Sequence, residues 1–363
     1  MARVTLRLVP PPLRFTEADG SNLTTTRIHC ASASKECMRI HQDVPSNTGS
    51  SNKKPTGTAM DFVFIIGLPR TGSKIYATNL NRFSDIDIVS EMHYLAPWYI
   101  RLDFVRGLQR RVGRLSIEKL PDVLNYMYSG ANKANFWKDR PNKGSWVKTI
   151  GEIKKEELRE RLSVIDAITP EVLFTTLLEE HARSTGKVRG GAKTPMDISR
   201  TQTLMKWFPN ALYLHITRDP RAIFASMVKG DLKRARHNNA IQEEAIRWKR
   251  FLYLCLQYRR AASVHRKYDG CSNYYLSRFE DVVNDTEMCM KRMCLFLKVE
   301  YNPNMLNPPL VDSNFRGTRN GFGMDPQALT DWKRIVTRRE EKLIRTVLKR
   351  EMRILGYNPT VEE

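Results

Sequence analysis

"FVFIIGLPRTGSKIYATNL", residues 62–80, decides how this chain is read. Phe62 to Ile66 are all β-branched or aromatic and stop at Gly67, the composition of a strand buried in a parallel sheet. From Ser73 the apolar residues Ile75, Ala77 and Leu80 trace one face of a helix. Between the two, Gly67 and Gly72 let backbone N–H groups turn inward with no Cβ in the way. A helix starting at such a turn adds its positive end, so strand, turn and helix together make an anion site. The Walker A loop reads G-x-x-x-x-G-K-[ST], whereas this turn reads Gly67-Leu68-Pro69-Arg70-Thr71-Gly72-Ser73-Lys74. The lysine comes one place late, and Ile75 stands where a magnesium-binding hydroxyl belongs. That weakens a nucleoside-triphosphatase reading. The cation inside the turn is Arg70. Alone, a turn of this kind also fits a plain tight connection.

A second stretch, "FPNALYLHITRDPRAIFASMV" at 208–228, has the same grammar. Ala211 to Thr217 reads as another buried strand, Arg218 ends it, Asp219 caps the next helix, and Pro220 suits its first turn. Ser226 then lies about two turns into that helix. An arginine fork and a hydroxyl placed this way grip one phosphate from two sides. Taken by itself Arg218 is a surface charge. Paired with the first turn, it marks a second anion site.

With both stretches in hand, the sequence resembles the sulfotransferase family, which uses 3′-phosphoadenylyl sulfate (PAPS) as donor. In that family a P-R-[ST]-G-[ST]-T loop after the first strand holds the 5′-phosphosulfate, matched here by Pro69-Arg70-Thr71-Gly72-Ser73. A later R-D-P-R-x-x-x-x-S segment holds the 3′-phosphate, matched by Arg218-Asp219-Pro220-Arg221 and Ser226. Lys74 departs from the family's usual threonine and would exchange a hydroxyl contact for a charge contact. "GGAKTP" (190–195) looks like the family's K-[TSD]-P segment, and "LSRFEDVVNDTEMCMKRMCLFLKV" (276–299) like its Y-E-D-L strand and helix. "LTDWKRIV" and "LKREMRILGY" resemble its C-terminal ending. The resemblance runs from about Asp61 to Tyr357 and is closest to the branch of protein-tyrosine and bacterial sulfotransferases. It implies an α/β fold: one P-loop-type domain with a central parallel sheet flanked by helices.

The resemblance also implies roles. Sulfuryl transfer places an acceptor oxygen in line with the sulfur and the leaving phosphate oxygen, so the protein contributes position and charge. Arg70 would face the bridging oxygen and sulfuryl group, and Lys193 matches the lysine thought to assist the leaving phosphate. Ser313 is placed near the bridging oxygen, with Arg319 and Lys333 as further donor-phosphate candidates. For the general base Glu91 is chosen, because it ends the second strand and a glutamate stands at the corresponding place in the protein-tyrosine enzymes. His93 is the rival, since cytosolic members use histidine and alternate residues of a strand end face the same way. PAPS is the expected co-substrate, and no metal is implied. The expected acceptor is a hydroxyl, or an amine, on a small molecule or carbohydrate in preference to a protein. Tyr94, Trp98, Tyr99 and Trp137 are candidates to line its pocket, or equally core residues. The competing readings are an ATP-dependent small-molecule kinase and a basic nucleic-acid-binding protein.

Composition bounds these alternatives. The chain has 363 residues and a formal charge of +21, whereas PAPS carries only about four negative charges. Runs such as 106–114, 233–237 and 338–351 therefore read as solvated helix faces that steer anions. Zinc spacings, basic zippers and RNP aromatics, the marks of nucleic-acid binders, are missing from the sequence. Six cysteines without C-x-x-C spacing read as free thiols. With no apolar run of membrane-spanning length, a soluble, cytoplasmic protein is expected, an organelle being the alternative if the tail is a transit peptide. Residues 1–58 are rich in Ser, Thr, Asn and Lys and read as a disordered tail, and 59–363 as the domain. Residues 96–169 read as a helical insertion over the site. Residues 241–268 read as one amphipathic helix on the sheet, its apolar face being Ala245, Trp248, Leu252, Cys255 and Leu256.

Overall fold

The computed structural model describes residues 61–90, 94–95, 104–128, 153–235, 239–307 and 325–360. Five strands form its centre: β1 Val63–Gly67, β2 Ile86–Ser90, β3 Arg189–Lys193, β4 Leu212–Thr217 and β5 Tyr274–Arg278. Every pairing is parallel, and the order across the sheet is β2-β3-β1-β4-β5. All of β1 is buried, which is why its sequence is a continuous apolar run. β3 is different: it reads RGGAK. Its glycines are there for proximity, since a Cβ on Gly191 would lie 2.1 Å from the Val63 carbonyl oxygen of β1. The chain fills the β2–β3 side of β1 first and then crosses to β4 and β5. The C-terminal end of β1 is therefore the switch point where open α/β sheets hold ligands.

Helices flank the sheet, among the described residues, as α1 Ser73–Phe83, α2 Phe104–Val112, α3 Leu120–Tyr128, α4 Lys155–Ser163, α5 Pro170–Ser184, α6 Thr201–Trp207, α7 Pro220–Leu232 and α8 Ala240–Tyr268. After β5 come α9 Phe279–Asn284, α10 Thr286–Leu297, α11 Arg338–Val347 and α12 Lys349–Ile354. Alternation along β1 divides the core in two. Phe64 and Ile66 join a larger cluster with Phe174, Phe208, Tyr213 and Tyr258, and Val63 and Ile65 join a smaller one with Tyr76, Leu80, Ile216 and Met290. Within the larger cluster Phe64 stacks on Tyr213 at 5.5 Å between ring centroids.

Several expectations are corrected here. Of the two roles open to Tyr94 the core one holds: it is fully buried, stacks on Phe174 at 4.2 Å and donates its hydroxyl to the Pro170 carbonyl at 2.7 Å. Trp98, Tyr99 and Trp137 lie outside the described residues, as do 1–60. Within 96–169, α2, α3 and α4 do supply helices, and Phe104, Leu108, Leu124 and Leu158 pack into the larger cluster. The long helix α8 exists, but with another face inward. Phe251, Leu254, Cys255, Tyr258 and Ala261 are buried, whereas Trp248, Leu252 and Leu256 are 51%, 60% and 55% exposed. Cys271 is disulfide-bonded, against the expectation of free thiols throughout, while Cys255, Cys289 and Cys294 are free. No helix of the described residues is long and apolar enough to cross a membrane.

One polar group inside the sheet makes a stability prediction. His215 of β4 is fully buried, its Nδ1 lies 2.6 Å from the Tyr274 hydroxyl, and its Nε2 has no partner among the described residues. Burial, with His265 adding to it, pushes its pKa down to about 3. The unfolded chain therefore takes the proton first: stability is full above about pH 6.5 and is lost as pH falls toward 3. Between pH 6.5 and 5 this one residue costs about 2 kcal/mol. Urea unfolding of His215→Phe at both pH values is expected to show a correspondingly smaller loss than the wild type. Equal losses would mean that other groups set the acid sensitivity.

Candidate active site

The loop after β1 is built on strained backbone. Gly67 and Gly72 have φ of 143° and 87°, and between them Arg70 has φ of 77°, a left-handed conformation unusual for a side chain of its size. A Cβ on Gly72 would lie 2.5 Å from the Phe279 ring, so that ring fixes the height of the loop. Left-handed non-glycine residues cost on the order of 1–3 kcal/mol and persist where the surroundings over-determine them. What determines Arg70 is visible: its Nε donates to Ser226 Oγ at 2.9 Å. Ser226 sits on the buried face of α7. The two sites that the sequence placed far apart are thus joined by a direct hydrogen bond.

Arg218, directly after β4, completes the junction. Its Nη1 donates to the Arg70 carbonyl at 3.4 Å and its Nη2 to the Ala328 carbonyl at 2.7 Å. Its guanidinium lies 4.4 Å from the Phe279 ring centroid, within the range of a cation–π contact. Burial lowers its pKa from the ordinary value, with the negative charge of Glu280 opposing. Asp219 accepts from the Arg221 N–H at 2.7 Å and Pro220 opens the first turn of α7, as the residue types require. Arg221 has a structural part. It is buried over Trp332 at 4.4 Å, paired with Asp219, and donates to Glu341 at 2.9 Å, which ties α7 to α11.

Lys193 ends β3 beside β1, in register with Ile65 on one side and Ser90 on the other, and is buried. Thr194 follows, donating its N–H to the Ile65 carbonyl at 2.9 Å. Its hydroxyl is buried without a partner among the described residues. A buried hydroxyl left over at the sheet edge where open α/β folds hold ligands suits a site that an oxygen-rich ligand completes. Ser73 is buried at the start of α1. Thr71 is fully buried and donates its hydroxyl to the Leu68 carbonyl at 2.9 Å. That hydroxyl holds the loop's shape, which leaves Thr71 only its backbone N–H for a ligand. Lys74 is exposed. Lys333 lies beside Trp332, with Nζ 5.9 Å from the ring. Glu91, His93, Ser313 and Arg319 lie outside the described residues.

The site so assembled has two cationic loops meeting at the switch point of a parallel sheet. A family model described as the Sulfotransferase family matches residues 62–303, well over half of the chain. The chain belongs to this family and is a sulfotransferase. Solved structures similar to it include the sulfotransferase domain of the Synechococcus PCC 7002 olefin synthase, at 18% identity and a TM-score of 0.45, covering 80% of this chain and 93% of that one. Another is the sulfotransferase domain of the curacin biosynthetic pathway, at 17% identity and a TM-score of 0.49, covering 83% and 99%. The sulfotransferase of Alicyclobacillus acidocaldarius matches at 15% identity and a TM-score of 0.42, covering 83% and 98%. No curated protein matches this chain.

Sequence reasoning overlooked Phe279 and Glu280. Both stand in "SRFEDVV", yet nothing local shows that this segment reaches the loops after β1 and β4. Only the pairing of β5 with β4 brings it there.

Proposed function

We propose that this chain transfers a sulfuryl group from PAPS to a hydroxyl of a small molecule or carbohydrate, with no metal ion. The observation that carries the reading is the junction itself: Arg70 donates to Ser226, and Arg218 donates to the Arg70 carbonyl. One strained turn and one helix start thereby present their cations and N–H groups to a single ligand, which fits a donor with phosphate at both ends. Arg70, Gly72, Ser73 and the backbone of Thr71 would hold the 5′ end, with Lys74 at the exposed rim. Arg218 and Ser226 would hold the 3′-phosphate. PAPS supplies the sulfuryl group and a leaving phosphate. Lys193, at the buried edge of β3, balances the charge that grows on that phosphate, and Arg70 faces the moving oxygens. Glu91, next in the chain after the residue that pairs with Lys193, takes the acceptor proton. Ser313 is assigned to the donor from the resemblance alone.

Radiolabelled PAPS offered with panels of phenols, alcohols, sugars and amines tests the reading. Label is expected on a hydroxyl acceptor in the presence of a chelator. Phosphate transfer from ATP that requires magnesium, with no sulfate transfer, would replace it with the kinase reading.

A further inference from the structure

Three consecutive residues at the end of β5 each reach a different part of the site. Arg278 donates to Asp281 at 2.8 Å and to the Gly356 carbonyl, and its guanidinium lies 5.5 Å from the Tyr357 ring. It thereby holds the turn that follows α12. Phe279 sits beneath both Gly72 and Arg218. Glu280 accepts from the Asp219 N–H at 2.9 Å with one carboxylate oxygen, and from the Tyr357 hydroxyl at 2.8 Å with the other. The carboxylate therefore ties the residue after Arg218 to the C-terminal turn. Burial raises its pKa, and the Asp219 N–H opposes that rise.

The bond from Asp219 to Glu280 is not needed to begin α7, which Asp219 and Pro220 already start through their own side chains. What the bond fixes is the peptide joining Arg218 to Asp219. Among the described residues the Arg218 side chain is held by two carbonyl oxygens and a ring face, and its own carbonyl accepts from the Tyr258 hydroxyl at 3.4 Å. A guanidinium recognises an anion by the direction of its fork, so a small rotation of that peptide misaims it. A carboxylate anchored on both oxygens, one of them by a phenol from far along the chain, removes that freedom.

We infer that Glu280 and Tyr357 form a latch that aims Arg218 at the donor's 3′-phosphate, which makes the C-terminal turn part of donor selection. They are positioning residues, and the inference rests on the proposed role of Arg218. The latch acts on the 3′ end alone. It therefore sets how strongly the protein prefers 3′,5′-adenosine bisphosphate over 5′-AMP, which lacks the 3′-phosphate. A purely structural role would weaken both ligands together.

Calorimetric titration of both nucleotides into the full chain decides. The wild type is expected to prefer the bisphosphate by about 100-fold. Tyr357→Phe and Glu280→Ala should each cut that preference about tenfold, with 5′-AMP affinity unchanged, which also certifies that the variant is folded. Glu280→Gln keeps an oxygen for the Asp219 N–H and an amide that can donate to the Tyr357 hydroxyl oxygen, so it should hold the preference within about threefold of wild type. A wild-type preference in both Tyr357→Phe and Glu280→Ala, or equal weakening of both nucleotides, would overturn the latch. A wild type with no preference at all would overturn the role of Arg218, and the latch with it.

Discussion

Glu91→Gln is expected to lower turnover by about 10²–10⁴ while donor affinity stays at its wild-type value. The residue just before it, Ser90, pairs with Lys193 across β2 and β3, which sets the chain at the edge where the sulfuryl group would move. A base at that position matters for removing the acceptor proton and hardly at all for holding PAPS. Glutamine keeps the shape and loses the basicity, so binding and chemistry should separate. An acceptor whose oxygen is already ionised needs no base and should lose far less. Steady-state rates with a matched pair of acceptors, neutral and acidic, measure this. Intact turnover in Glu91→Gln together with its loss in His93→Gln would assign the base to His93.

The second large effect concerns the donor. Arg218→Ala should weaken 3′,5′-adenosine bisphosphate by roughly 2–4 kcal/mol, the usual cost of removing one partner of a buried charged hydrogen bond. The structure adds a reason for the upper part of that range. Without the guanidinium, the Ala328 carbonyl loses its donor and the face of Phe279 is bared beneath Gly72. Titration of the bisphosphate gives the number directly, and near-normal affinity would place the 3′-phosphate elsewhere. Nucleic-acid binding through general charge would survive this single change and fall steeply with salt.

These predictions use residues that differ in how readily the sequence gives them up. β1 and β4 announce themselves because burial on both faces demands an unbroken apolar run, and their exits announce an anion site because glycine, proline and arginine each have a local job there. β3 hides, since its glycines answer to the neighbouring backbone and not to composition. The inward face of α8 is hidden for a related reason. Its apolar residues lie on more than one side, so spacing alone could not say which side meets α7 and the sheet. Arg70 and Ser226 were legible as types, but their hydrogen bond depends on how β1 and β4 lie side by side. Glu280 and Tyr357 stand in segments that the resemblance marks, but nothing local pairs one with the other. Their partnership is purely a matter of tertiary placement.

The central claim is that the two loops form one site for a donor carrying a 3′-phosphate, working without magnesium. Thermal unfolding with added nucleotide tests it most directly. At about 100 times its dissociation constant, 3′,5′-adenosine bisphosphate should raise the melting temperature by about 5 °C, with or without chelator. ATP with magnesium at the same concentration should shift it little. A larger shift with ATP and magnesium than with the bisphosphate would contradict the account.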